Sequence, residues 1–141
     1  MKTNKAGIQL IKGSEGYYDH AYKCPAGKWT IGWGHTKGVT AGMTCTPVQA
    51  LRWLVADLQN AENDVNDLNL KINQNQFDAL VDFVFNLGIG SLEESHLLIK
   101  IKANPADPSI RQEFEKWVDG AGKVEPGLVK RRNEEANLYF S

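Results

Sequence analysis

Between residues 16 and 45 the chain carries six of its thirteen glycines, at positions 16, 27, 32, 34, 38 and 42, and no continuous helix survives that density. Each interior glycine costs a helix about 1 kcal/mol relative to alanine. The segment therefore reads as loops and short strands. Within it, KWTIGWGH alternates Trp29, Ile31 and Trp33 with Thr30 and Gly32, the period of a strand in a small sheet. Asp19 and His20, between Tyr18 and Tyr22, read as a turn.

The flanking stretches have helical period. Ile8, Ile11 and Glu15 share one face of a helix over residues 4–15, which Gly13 and Gly16 bring to an end. Thr46 is a cap and Pro47 a first helical residue for a long helix carrying Leu51, Leu54, Val55, Leu58, Val65 and Leu68. Residues 74–87 hold the strongest apolar stripe, Phe77, Leu80, Val81, Val84 and Leu87, closed by Gly88. One further helix is expected over residues 91–102. Another should start at the Asp107–Pro108 pair and carry Ile110, Phe114, Trp117 and Val118. After a break at Gly120 and Gly122, the last begins at Pro126.

A mainly helical α+β domain over residues 1–141 follows. A small β-containing lobe at 16–45 would face a helical body and connecting helix built from 1–15 and 46–141, with a cleft between them. At 141 residues the chain can bury a core without metal or disulfide help. Sixteen basic residues against seventeen acidic ones leave a formal charge of -1, so no global field draws it to nucleic acid or anionic lipid. The first residues form neither a signal peptide nor a membrane span. Cys24 and Cys45 have neither metal-ligand spacing nor the density of a disulfide scaffold, which fits a reducing compartment, a bridge between the two being the alternative.

Among candidate reactive groups, Glu15 stands out. A carboxyl on the apolar face of a helix, at its negative pole, is disfavoured in its charged form, and a protonated carboxyl is what general-acid cleavage of a glycosidic bond needs. The competing reading is a solvated helix-end charge. Asp19 is the nearest second acid, and an exposed turn aspartate describes it as well. Three scattered histidines make no metal site, and the GxG fragments near Gly32 lack the context of a phosphate loop. Cys24 fits a nucleophile or a buried apolar thiol. Arg131 and Arg132, with Glu134 and Glu135 close behind, read as local ion pairs, or one arginine turns inward to orient Glu15.

Four blocks taken together, EGYYDHAYKCPAGKWTIGWGHT at 15–36, GMTCTPVQA at 42–50, NQFDALVDFVFNLG at 75–88 and GLVKRRNEE at 127–135, resemble the phage-type lysozymes, or endolysins. The resemblance implies a lysozyme-like fold with peptidoglycan in the cleft. It also implies hydrolysis, without a cofactor, of the β-1,4 bond between N-acetylmuramic acid and N-acetylglucosamine, usually with inversion. In that pattern Glu15 is the general acid and Thr30 the third member. The second position, commonly aspartate, is Cys24.

That departure opens two mechanisms. Cys24 and Thr30 hold or activate the attacking water, giving inversion, or a Cys24 thiolate attacks the anomeric carbon, giving retention. A catalytically impaired cell-wall-binding module is the non-enzymatic alternative. By the same resemblance Tyr22, Trp29, Trp33 and His35 shape or brace the cleft, the alternative for each being a place in the core of the small lobe, and Arg131 or Arg132 pairs with Glu15. The implied partner is the peptidoglycan glycan strand, with no nucleic acid, no metal and no stable membrane association. A monomer is expected, stored in the host cytoplasm and acting in the periplasm.

Overall fold

Helix α1 (Lys5–Glu15) ends where Gly16 turns to a φ of 72° and its N–H reaches the carbonyl of Lys12 at 3.0 Å. A left-handed residue at that place is an ordinary glycine stop. The computed structural model describes residues 1–141. They form two compact units, one of Ile11–Gln59 and one of Met1–Leu10 with Asn60–Ser141, and α1 contributes residues to both.

The smaller unit holds an antiparallel pair, β1 (Tyr18–Lys23) and β2 (Trp29–Gly32), in the register Tyr22 to Thr30 and Lys23 to Trp29, with an irregularity towards Tyr18. Asp19 and His20 thus lie in a strand, not in the expected turn. The reason is pairing on the other edge of β1. Ala21 donates to Met43 and Cys45 donates to Asp19, each at 2.9 Å, so residues 43–45 satisfy backbone groups that a turn would have left to water. Helix α2 (Pro47–Asp67) opens on a reciprocal cap. Thr46 Oγ1 accepts the Gln49 N–H at 3.2 Å, and Gln49 Oε1 accepts the Thr46 N–H at 2.9 Å. Ile11, Ile31, Ala50, Leu54 and Leu58 form this unit's core.

The larger unit is built on α3 (Gln74–Leu87), capped by a reciprocal Asn73–Gln76 pair and stopped by Gly88 at a φ of 88°. Every residue from Phe77 to Val84 is buried, Asp78 and Asp82 included. The expected helix over 91–102 is two pieces, α4 (Ile89–Glu93) and α5 (His96–Ala103). Ser95 breaks it. Its hydroxyl donates to the Leu92 carbonyl at 2.6 Å and accepts the Leu98 N–H at 3.1 Å, capping α5.

Helix α6 (Ile110–Glu115) likewise starts later than the Asp107–Pro108 pair suggests. Asp107 takes the N–H and hydroxyl of Ser109, at 2.9 and 2.8 Å, and so stabilises a tight turn before the helix. Trp117 and Val118 fall beyond its end. Where the glycines implied only a break, β3 (Asp119–Gly120) and β4 (Lys123–Val124) form a short hairpin over Ala121 and Gly122, whose φ values are 52° and 80°. Helix α7 (Pro126–Tyr139) packs chiefly on α3 and α6. Phe83, Phe114, Trp117 and Tyr139 meet edge to face around this seam. No helix is long and apolar enough to cross a membrane.

Candidate active site

The loop CPAGK between β1 and β2 closes tightly on itself. Cys24 N donates to the Lys28 carbonyl at 2.9 Å, and Gly27 N donates to the Cys24 carbonyl at 2.8 Å, with Gly27 at a φ of 81°. This fold-back turns the N–H groups of Lys28 and Ala26 towards the Cys24 sulfur, with the Thr30 hydroxyl also in reach. Led by the Lys28 N–H, these donors outweigh desolvation and hold the thiol below its usual range.

Thr30 is buried in β2, and its hydroxyl donates to the Lys28 carbonyl at 3.0 Å. A hydroxyl has one proton. While Thr30 gives it to Lys28, it meets a neutral thiol only as an acceptor. Ionisation of Cys24 would turn that proton to sulfur.

Across the strands from Thr30 stands Tyr22, half-buried. Burial pushes its phenol up, and the charges of Tyr18, Glu15 and Cys24 add to the effect. The phenol therefore stands within electrostatic reach of both Glu15 and Cys24. Glu15, on the last turn of α1, is half-buried, with its carboxyl against Gly34. The structure thus gathers Glu15, Tyr22, Cys24 and Thr30 in the smaller unit. Asp19 is set differently. Its side chain is 71% exposed on β1 and accepts from or donates to no group of the site, pairing instead with His20 Nδ1 at 2.8 Å.

Three more residues singled out from the sequence surround these. Trp29 carries Lys23 Nζ 5.4 Å above its ring. Trp33 meets Tyr17, centroid to centroid at 5.0 Å, and Lys12 Nζ at 4.3 Å. His35 is turned into the unit, its Nδ1 on Asp57 Oδ2 at 2.8 Å and its ring stacked on Trp53 at 4.7 Å.

In the larger unit Arg131 and Arg132 are both buried. Arg131 grips Asp82 with two nitrogens, Nε to Oδ2 at 3.0 Å and Nη2 to Oδ1 at 2.7 Å. Arg132 pairs with Glu135 at 2.9 Å, donates to Asn86 and lies over Phe83. The local pair expected from spacing is real for Arg132 and Glu135, but it sits in the core rather than in solvent. Burial, followed by a hydrogen bond and the charge of Asp82, pushes Glu135 well up. Asp82 is held down: burial opposes this, and the bonds from Glu135 and Arg131 prevail.

Asp82 and Asn86 were missed as partners. The available signal was an acid inside the apolar run of α3, since a buried carboxylate demands a cation or a proton. No cluster of three or more His, Cys, Asp or Glu side chains is arranged to hold a metal.

The phage lysozyme family model matches residues 12–135. An endolysin of Acyrthosiphon pisum secondary endosymbiont phage 1 is 38% identical over 147 residues, covering 100% of this chain and 99% of that protein. An endolysin of Bacillus phage B103 is 39% identical over 145 residues, and here the chain spans 55% of the relative's length. Among solved structures, the muramidase domain of SpmX from Asticaccaulis excentricus superposes with a TM-score of 0.90 at 34% identity, covering 99% of this chain and 98% of that one.

A mainly helical α+β fold with these relatives defines a glycoside hydrolase of the lysozyme class. The chain belongs to the phage lysozyme family.

Proposed function

We propose that this protein hydrolyses the β-1,4 bond between N-acetylmuramic acid and N-acetylglucosamine in peptidoglycan, with Glu15 as general acid and Cys24 and Thr30 holding and activating the attacking water. The observation that carries this reading is the company Cys24 keeps: it lies beside Thr30, and the Tyr22 phenol stands within electrostatic reach of both Cys24 and Glu15. Glu15 gives its proton to the leaving oxygen as the bond breaks. On the opposite face of the sugar, water adds to the anomeric carbon and yields its proton to the Cys24 thiolate. Water is consumed, the two protons balance, and the anomer inverts. Backbone N–H groups at Cys24 make the thiolate accessible, which is how a thiol can do work that a carboxylate otherwise does.

Trp29 and Trp33, both half-exposed, supply aromatic surface on which sugar rings stack, and His35 braces the strand that carries Thr30. The protein works as a monomer on glycan strands, without cofactor, nucleic acid or membrane partner. It is held in the host cytoplasm and acts on peptidoglycan in the periplasm.

One observation favours a second mechanism. The same N–H donors that lower the thiol would suit a Cys24 thiolate that attacks the anomeric carbon directly and forms a glycosyl-enzyme, with retention. Nuclear magnetic resonance of the first-formed reducing end separates the two. The inverted anomer, together with an active Cys24→Asp variant, supports water activation. The retained anomer with a dead Cys24→Ser variant overturns it. Binding to sacculi with no soluble muropeptide from the unaltered protein would leave only a cell-wall-binding module.

A further inference from the structure

Residues Gly32, Trp33 and Gly34 form the tip of a turn closed by two reciprocal bonds, Ile31 N to His35 O at 2.9 Å and His35 N to Ile31 O at 3.0 Å. Both glycines take left-handed angles, 64° at Gly32 and 77° at Gly34. The turn is held on each side. Gly32 lies so close to α2 that an added Cβ would stand 3.0 Å from the Cβ of Ala50, and His35 is clamped by Asp57 and Trp53. Its backbone has little freedom to shift.

Gly34 then faces the Glu15 carboxyl directly. A Cβ built there would stand 2.8 Å from Oε2, 3.2 Å from Cδ and 3.6 Å from Cγ, and it would meet no other group so closely. With the turn anchored, the distal atoms of the flexible Glu15 side chain are the ones that must shift. Other glycines in this unit share the angle without the contact. Gly38 has a φ of 73° with nothing within 4 Å of the position of its Cβ.

We infer that Gly34 is a positioning residue for the general acid: the missing side chain leaves the one space in which the Glu15 carboxyl can sit in its reactive orientation. This rests on the reading of Glu15 as the proton donor. Its consequence is specific, because any side chain at position 34 moves the carboxyl while leaving the sugar-binding surface in place. A displacement of about 1 Å in a reacting group costs on the order of 100-fold in rate.

The test compares Gly34→Ala with Gly38→Ala on purified sacculi, reading kcat, KM and Tm, with Glu15→Gln alongside. Backbone strain is common to the two glycine variants, so their Tm values should fall together, within about 2 °C. We expect Gly34→Ala alone to lose about 100-fold in kcat with KM changed less than about twofold. Equal kcat in the two variants, with Glu15→Gln inactive, would overturn the role of Gly34 and leave the acid in place. A fully active Glu15→Gln would instead remove the reading beneath it.

Should Gly34→Ala fail to fold, the Gly34→Ala/Glu15→Ala double variant decides. A folded double variant locates the conflict at the carboxyl and supports the proposal. An unfolded one locates it in the backbone and overturns it.

Discussion

His35 Nδ1 stands 2.8 Å from Asp57 Oδ2 while its ring lies flat on Trp53, so one buried imidazole ties the turn after β2 to helix α2. Asp57 is only 23% exposed, so its hydrogen bond with the imidazole is partly sheltered from competing water. Removing either partner should cost about 2 kcal/mol. A double-mutant cycle with His35→Asn and Asp57→Asn, followed by denaturant unfolding, should show that the two losses do not add. Strict additivity would show that the contact contributes nothing.

Gly7 offers a case where two effects oppose. In the first turn of α1 an alanine should gain at most about 1 kcal/mol in helix propensity. Yet its Cβ would lie 2.6 Å from Thr3 Cγ2 and 2.8 Å from Asp78 Cβ, atoms near the backbone that cannot swing aside. Overpacking of that kind costs about 1–3 kcal/mol, so Gly7→Ala should be destabilised on balance. A rise in Tm would mean that α1 and α3 have room to separate.

Glu135 sets the sign of a pH dependence. Its carboxyl titrates well above the ordinary 4.5 when folded, because of burial and then Asp82. Over the window from about 4.5 up to that raised value, the folded protein keeps a proton that the unfolded chain has released. Its contribution is complete below the window and is lost as pH rises through it. Glu135→Gln cannot ionise, so the Tm of the variant minus that of the wild type should grow from pH 4.5 towards pH 8. A gap that stays flat or shrinks would place the proton elsewhere in the cluster.

What the sequence disclosed depended on how local the cause was. The end of α1 at Gly16, the Thr46–Pro47 start of α2 and the stop at Gly88 are settled by residues within a turn of each boundary, and all were legible. Ser95 was legible only in part, since a serine inside an apolar period looks like a polar face until its hydroxyl takes the Leu98 N–H. Asp19 failed because its backbone is paired by Cys45, far along the chain. The same holds for the candidate site. Glu15, Cys24 and Thr30 could be named from their motif, whereas Gly34 emerged only when the turn was seen against the carboxyl, and Asp82 only when Arg131 was seen to grip it.

The proton proposed to come from Glu15 is absent in Glu15→Gln. The amide keeps the shape of the side chain and cannot act as an acid. Soluble muropeptides released from purified sacculi should fall by at least about 100-fold, with Tm unchanged or raised. Full release of muropeptides by the folded Glu15→Gln protein would contradict the account.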